Sequence, residues 1–213
     1  MFRWLKPRRP HPAFPPDTPL QAVRYLVLDT EFTSLDKRSN RLLSIGAIVM
    51  QGPKIQLGDQ FYRVLNPGVD VPAPGVLVHK LRPHDLQNGD APAAVLQDLQ
   101  PLLAGSVLVG HFVNMDLKIL RKELRGTGHA LDNPAVDTAH IHRWLLRRGR
   151  YSEDLFHHLE NLDLATLAKH YNIDFHEAHH ALDDAFVTAR LWQKLLHELE
   201  TQGVYRLGEL LRI

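Results

Sequence analysis

Two acidic side chains lie close together where the first apolar stretch of the chain ends. Asp29 and Glu31 flank Thr30, directly after the run Tyr-Leu-Val-Leu. That run predicts a buried strand, and residues i and i+2 of a strand point to the same face. Two carboxylates this close raise each other's pKa unless a cation lies between them. The pair therefore predicts a metal site, although acidic pairs at strand ends also occur as solvated turns.

Three further residues could complete such a site. Asp116 follows the apolar run at 107–110 after a short link, and Asp184 stands near the start of the last predicted helix. Both positions also suit an aspartate that only stabilises a helix N-terminus, where the helix dipole favours negative charge. His179 precedes Asp184 by five residues, a rotation of roughly 140° on a helix. If both serve one site, His179 must lie on an irregular turn before that helix.

The apolar pattern predicts the elements that position these residues. Short apolar runs predict strands at 25–29, 42–50, 55–65 and 107–110. Helical spacing of apolar residues predicts helices at 91–103, 114–124, 138–146, 164–171 and 181–199. Three strands followed by strand–helix alternation predict an α/β fold, a central mixed β-sheet flanked by α-helices.

Composition excludes several functional classes. The 213 residues include no cysteine, which excludes disulfides, thiolate zinc sites and cysteine nucleophiles. No apolar run approaches the roughly 18 residues of a membrane span, and no signal peptide is evident, so we expect a cytoplasmic protein without membrane contact. The net charge of +1 neither favours nor excludes nucleic acid. We expect one domain at 23–199, between an irregular basic, proline-rich arm at 1–22 and a short tail at 200–213.

One short segment suggests an alternative, although the chain has fourteen histidines, so a match of five residues is a modest coincidence. The segment 176–180, His-Glu-Ala-His-His, matches the H-E-x-x-H signature of zinc metallopeptidases, with His176 and His180 as ligands and Glu177 as base. This alternative needs a helix through 176–180 and a third ligand, and it assigns no role to Asp29, Glu31 or Asp116. Four other histidines are expected at the surface: His140, His142, His157 and His158.

Three segments occur in an order that resembles one nuclease family. They are YLVLDTEFTSL, VGHFVNMDLKIL and HHALDDAFVTARL, and they resemble the motifs of the DEDDh exonucleases. This group includes the proofreading epsilon subunit of bacterial DNA polymerase III, ribonuclease T and oligoribonuclease. The resemblance implies a ribonuclease H-like fold and metal-dependent 3′–5′ exonuclease activity that releases nucleoside 5′-monophosphates. A catalytically inactive nucleic-acid-binding module would be expected to have lost one of the five motif residues, and all five are present.

The resemblance also implies roles for individual residues. Two Mg²⁺ or Mn²⁺ ions are expected: Asp29 would bridge them, Glu31 and Asp184 would complete the first, and Asp116 would act at the second. His179 would be the general base. The expected substrate-binding residues are Thr33, Ser34, Leu35, His79 and Phe112, the last of which stands where the family often has asparagine. The expected substrate is a single-stranded or frayed 3′ end of DNA, with RNA as the alternative, and a polymerase is a candidate partner.

Overall fold

Five strands form one mixed sheet in the computed structural model, which describes residues 14–34, 40–69, 80–125, 127–148, 162–175 and 180–213. The strands are β1 (Arg24–Phe32), β2 (Leu42–Gln51), β3 (Lys54–Val64), β4 (Val107–Gly110) and β5 (Ala135–Asp137), in the spatial order β3-β2-β1-β4-β5. β1 pairs antiparallel with β2 and parallel with β4. The predicted mixed sheet is confirmed.

The described α-helices lie between β3 and β4, between β4 and β5, and after β5. They are α1 (Pro83–Gln87), α2 (Pro92–Leu103), α3 (Asn114–Glu123), α4 (Thr138–Arg148), α5 (Leu164–His170), α6 (Ala181–Thr201) and α7 (Leu207–Leu210). Each predicted strand and helix is present, with ends shifted by at most three residues. The elements that the sequence did not predict are β5, α1, α7 and a 3-10 helix at Leu20–Ala22, all five residues or shorter. Elements this short carry too few residues for a periodic pattern.

The central strand β1 is buried on both faces, which explains its continuous apolar run. Tyr25 and Val27 pack in one core with residues of α4, α5 and α6. Leu26 and Leu28 point the other way and pack with residues of α2 and α3. Within the described residues, no helix is long and apolar enough to span a membrane.

Gly46 of β2 lets the last long helix approach β1 directly. It pairs with Asp29 in the sheet, and a Cβ atom at this position would lie 2.2 Å from the backbone of Ala181. A glycine inside a buried strand marks such a close backbone approach. The absence of a side chain at Gly46 therefore sets the position of the first turn of α6, which contains Asp184.

This contact predicts a large effect for Gly46→Ala. The added methyl group must displace the α6 backbone, and overpacking of this kind costs about 1–3 kcal/mol of folding free energy. Because a 1 Å misplacement near reacting groups can cost on the order of 10²-fold in rate, nuclease activity should fall more than the thermal stability suggests. Gly58→Ala in β3 is the matched control, since a Cβ there meets nothing within 4 Å. Equal activity of the two variants would contradict the role of this contact.

The segments that flank the domain pack against each other. Leu20 is 1% exposed within the core, and its N–H donates to the carbonyl of Tyr205 at 2.9 Å. The N–H of Leu207 donates to the carbonyl of Thr18 at 2.9 Å. Order therefore begins before the first strand, and residues beyond 199 contribute Leu207 and Leu210 to the same core.

The prediction that His142 lies at the surface is wrong. Its side chain is fully buried, and its Nδ1 lies 2.9 Å from the hydroxyl of Tyr171, which in turn donates to Glu198 at 3.2 Å. Burial lowers the pKa of His142 to about 4, so the ring is neutral at pH 7. His140 is half-buried and bonds the carbonyl of Ile213, while His157 and His158 lie outside the described residues.

Candidate active site

Three carboxylates meet at the end of β1. One oxygen each from Asp29, Glu31 and Asp184 lies within 4.8 Å of the other two. Asp29 and Glu31 extend from the same face of β1. Asp184 lies in the first turn of α6, whose backbone packs directly against Gly46. Asp184 is buried and the other two are half-buried. The cluster is therefore accessible from one side and walled by protein on the other.

Asp116 joins the site through Thr30, which points to the opposite face of β1. The backbone N–H and the hydroxyl of Thr30 both donate to Oδ1 of Asp116, at 2.9 and 2.6 Å. Because β4 runs parallel to β1, α3 begins at the same sheet edge at which β1 ends, and Asp116 lies in its first turn. Thr30 thus fixes one oxygen of Asp116 and leaves the other for a further contact.

The crowding of these groups disfavours their negative charge. Burial raises the pKa of Asp29 well above its usual value, and the Asp116 and Asp184 carboxylates raise it further. Burial and the carboxylate of Asp184 raise the pKa of Glu31 to about 7. Burial also raises the pKa of Asp116 to about 7, although the hydrogen bonds from Thr30 lower it. A bound cation in place of the protons would relieve this cost.

Comparison with known families supplies the deciding observation. An exonuclease family model, of the RNase T type, matches residues 26–192, which contain the three motifs apart from Tyr25, the first residue of the first motif. The chain belongs to this exonuclease family. The predicted family resemblance is confirmed, and with it the predicted enzyme class, a metal-dependent 3′–5′ exonuclease.

Curated relatives of this exonuclease chain bear the name of DNA polymerase III. A DNA polymerase III subunit epsilon-like protein of Rhodobacter capsulatus is 29% identical over 198 residues, which cover 92% of this chain and 27% of that protein. DNA polymerase III subunit epsilon of Rickettsia felis is 29% identical over 185 residues, covering 83% of this chain and 75% of the relative. A PolC-type DNA polymerase III of Clostridium perfringens is 26% identical over 189 residues, and the match spans only 12% of that longer protein.

Solved exonuclease structures share the fold. E. coli Exonuclease I in complex with a dT13 oligonucleotide superimposes with a TM-score of 0.69 at 17% identity, covering 85% of this chain and 42% of that one. Cell-death related nuclease 4 gives a TM-score of 0.70 at 16% identity, covering 87% and 66%. These likenesses confirm the predicted ribonuclease H-like fold.

Of the other predicted site residues of the exonuclease, the structure describes Thr33, Ser34 and Phe112. The backbone N–H of Thr33 donates to the carbonyl of Arg41, and its hydroxyl accepts from the N–H of Arg41 at 3.0 Å, which joins the start of β2 to the end of β1. Ser34 follows and is exposed. Phe112 is exposed in the link between β4 and α3. Leu35, His79 and His179 lie outside the described residues, and their roles stay predictions.

The zinc peptidase alternative fails at His180. It requires a helix through this residue, but His180 has an extended backbone, with φ −125° and ψ 113°, and is the N-cap of α6. Its ring lies 3.2 Å (Nδ1 to Oδ2) from Asp183 and packs on Tyr62, with the ring centroids 4.6 Å apart. The remaining residues of the signature, 176–179, lie outside the described part of the chain.

Three residues near the cluster were not identified from the sequence. Thr30 was treated only as the spacer of the acidic pair, and Gly46 only as part of a strand. Gly46 was detectable, because a glycine inside an apolar strand signals close packing. Tyr62 of β3 has no such feature in the sequence. It lies close enough to the site for the carboxylate of Glu31 to raise the pKa of its hydroxyl, which burial also raises.

The raised pKa values predict that the metal-free domain loses stability as the pH rises. A carboxyl group whose pKa is higher in the folded state stabilises that state below its unfolded pKa, and loses this contribution as the pH rises through the folded pKa. For Glu31 this window runs from 4.5 to about 7. In chelator at pH 8, Glu31→Gln should therefore be more stable than the wild type by up to about 3 kcal/mol. Thermal unfolding of both proteins at pH 5 and pH 8 tests this prediction. If the stability difference between Glu31→Gln and the wild type is as large at pH 5 as at pH 8, the prediction is wrong.

Proposed function

We propose that this exonuclease removes nucleotides from the 3′ end of single-stranded or frayed DNA by a two-metal mechanism with His179 as general base. The observation that supports the proposal most directly is the cluster of Asp29, Glu31 and Asp184, whose oxygens lie within 4.8 Å of one another. The product would be a nucleoside 5′-monophosphate, and the bond broken would be the one between phosphorus and the 3′ oxygen of the preceding sugar.

The donor set suits magnesium or manganese. All the candidate ligands are carboxylate oxygens, the donors that hard divalent cations prefer, and the chain has no cysteine to favour a softer metal. The raised pKa values of Asp29 and Glu31 also indicate a pocket that favours a bound positive charge. When bound, two such ions supply an activated water and stabilise the leaving 3′ oxygen.

The carboxylates and His179 have separate proposed roles in the reaction. Asp29 would be shared by both ions, with Glu31 and Asp184 completing one of them. Asp116, whose carboxylate Thr30 orients, would serve the second. His179 would take a proton from the attacking water, which a neutral imidazole can do near pH 7. α6 begins at Ala181, so His179 precedes the helix that carries Asp184.

The comparisons favour DNA over RNA as the substrate. Exonuclease I, which shares the fold, has been solved with dT13 and dA16 oligonucleotides. Several relatives are subunits or parts of DNA polymerase III. These names also support a polymerase as partner. RNA is the second candidate, since a 3′ end of either kind presents the same phosphodiester to the carboxylates.

A single assay tests the proposed function. Single-stranded DNA and RNA of matched sequence, labelled at the 5′ end, are incubated with the protein in Mg²⁺, Mn²⁺ or chelator. We expect a ladder of products shortened one nucleotide at a time, faster on DNA, that disappears in chelator. Immediate release of the 5′ label would contradict the 3′–5′ direction, undiminished cleavage in chelator would contradict the metal mechanism, and faster cleavage of RNA would contradict the DNA preference.

A further inference from the structure

An exposed aromatic ring on a strained backbone lies in the turn that precedes α3, the helix with Asp116 in its first turn. Phe112 has a φ of 52°, in the left-handed region that favours glycine, and it is 48% exposed. The fold thus tolerates two unfavourable features at one residue, backbone strain and a solvated phenyl ring. Strain of this kind persists where the surroundings enforce it, and it clusters at ligand sites.

The topology places Phe112 at the reactive edge of the sheet. β4 is parallel to β1, with Val109 beside Val27, and a Cβ atom on Gly110 would lie 3.1 Å from the carbonyl oxygen of Leu28. The chain therefore leaves β4 next to the point at which β1 reaches Asp29. Phe112 then accepts a hydrogen bond from the N–H of Met115 at 3.2 Å, in the turn that leads into α3 and Asp116. Phe112 therefore belongs to the loop that connects β4, the neighbour of β1, to the helix that carries Asp116.

A fixed neighbour supports the ring. Phe112 packs edge-to-face against His111, with ring centroids 4.6 Å apart and planes 60° apart. His111 is itself held at both nitrogens: Nε2 lies 2.7 Å from the carbonyl of Leu162 and Nδ1 lies 2.9 Å from the hydroxyl of Thr138. A carbonyl can only accept, so Nε2 carries the hydrogen of that bond. The His111 ring that contacts Phe112 is therefore held by two other segments of the fold.

We infer that Phe112 is a stacking platform for a base of the bound strand, within the last three nucleotides before the 3′ end. The inference rests on the proposed exonuclease function. Every base has a π-face, so stacking on an aromatic side chain accepts all four bases, whereas hydrogen bonds to base edges would select among them. A base in a duplex already stacks on its neighbours. Phe112 therefore confers preference for unpaired 3′ ends without preference for sequence.

The test removes the ring and the base separately and together. Phe112→Gly deletes the ring while keeping a residue suited to a φ of 52°, and Phe112→Trp retains an aromatic face. The substrates are single-stranded oligonucleotides with one abasic nucleotide at the first, second or third position from the 3′ end. Tyr205→Ala is the control: this aromatic side chain is 58% exposed but lies where the tail contacts Leu20, ahead of the first strand. The readout is kcat/KM.

For the wild type, an abasic nucleotide at one of the three positions should lower kcat/KM by about 5- to 150-fold, the range of base–aromatic stacking. Phe112→Gly should lose a similar factor on the intact strand and lose little more on that abasic strand, because the two changes remove the same contact. Tyr205→Ala should keep the wild-type kcat/KM on every strand, and Phe112→Trp should restore most of the activity that Phe112→Gly loses on the intact strand. The inference is overturned if the loss from Phe112→Gly and the loss from the abasic nucleotide multiply at all three positions. It is also overturned if Phe112→Gly cleaves the intact strand as fast as the wild type does. A wild type that cleaves no 3′ end would instead contradict the proposed function.

Discussion

Asp29→Asn should reduce the nuclease rate by at least about 10³-fold while the fold survives. Charge stabilisation by bound cations is worth several kcal/mol, and each 1.36 kcal/mol corresponds to a factor of ten in rate. Asp29 would be shared by both ions, so its loss affects both at once. The amide also removes a half-buried carboxyl group whose pKa is raised by desolvation and by the neighbouring carboxylates. In chelator at pH 8, the variant should therefore unfold at a temperature equal to or above that of the wild type.

Two measurements separate a metal defect from a folding defect. Mn²⁺ should raise the melting temperature of the wild type, since a ligand that binds only the folded state stabilises it, and Asp29→Asn should lose most of this increase. Asp183→Asn makes the same chemical change beside Asp184, but Asp183 has a side chain that is 69% exposed, so its activity and metal response should stay near those of the wild type. A folded Asp29→Asn with near-normal activity would remove Asp29 from the site.

Sequence patterns predicted the placement of the acidic pair Asp29 and Glu31, because local strand geometry decides it. The apolar run before Asp29 predicts a buried strand, and the period of two in a strand then places Glu31 on the same side. The fold class followed from three strands preceding a strand–helix alternation. Both inferences depend on neighbours in the chain, which a sequence displays directly.

Contacts between segments that are distant in the sequence could not be predicted from it. The hydrogen bonds from Thr30 to Asp116 span 86 positions, and nothing in either segment specifies them. His142 was predicted at the surface because histidines are polar, yet it is buried with Tyr171 as its partner. The packing of Leu207 and Leu210 into the core depends on a tail with too few residues to show helical periodicity. In each case the pairing of two segments, which depends on the tertiary fold, determines the environment.

His179→Ala should lower the rate by about 10²–10⁴-fold, the contribution typical of a general base. The adjacent His180→Ala is the matched control, because the two residues share their chain environment but differ in assigned role. His180 occupies the N-cap position of α6 without a side-chain capping hydrogen bond, and its ring contacts the exposed Asp183 and Tyr62. None of these contacts involves the four carboxylates, so the loss of the ring should cost little activity. The wild-type rate should rise with pH through a limb near the histidine value of about 6.5, and His179→Ala should lack that limb.

The metal response distinguishes a lost base from a damaged site. His179→Ala keeps all four carboxylates, so Mn²⁺ should raise its melting temperature as much as it raises that of the wild type, in contrast to Asp29→Asn. Free imidazole added to His179→Ala should restore part of the rate, because a small base can occupy the space that the side chain leaves, and it should not affect Asp29→Asn. A rate lost in His180→Ala but retained in His179→Ala would transfer the role of base to His180. A Mn²⁺ response lost in His179→Ala would make His179 a ligand rather than a base.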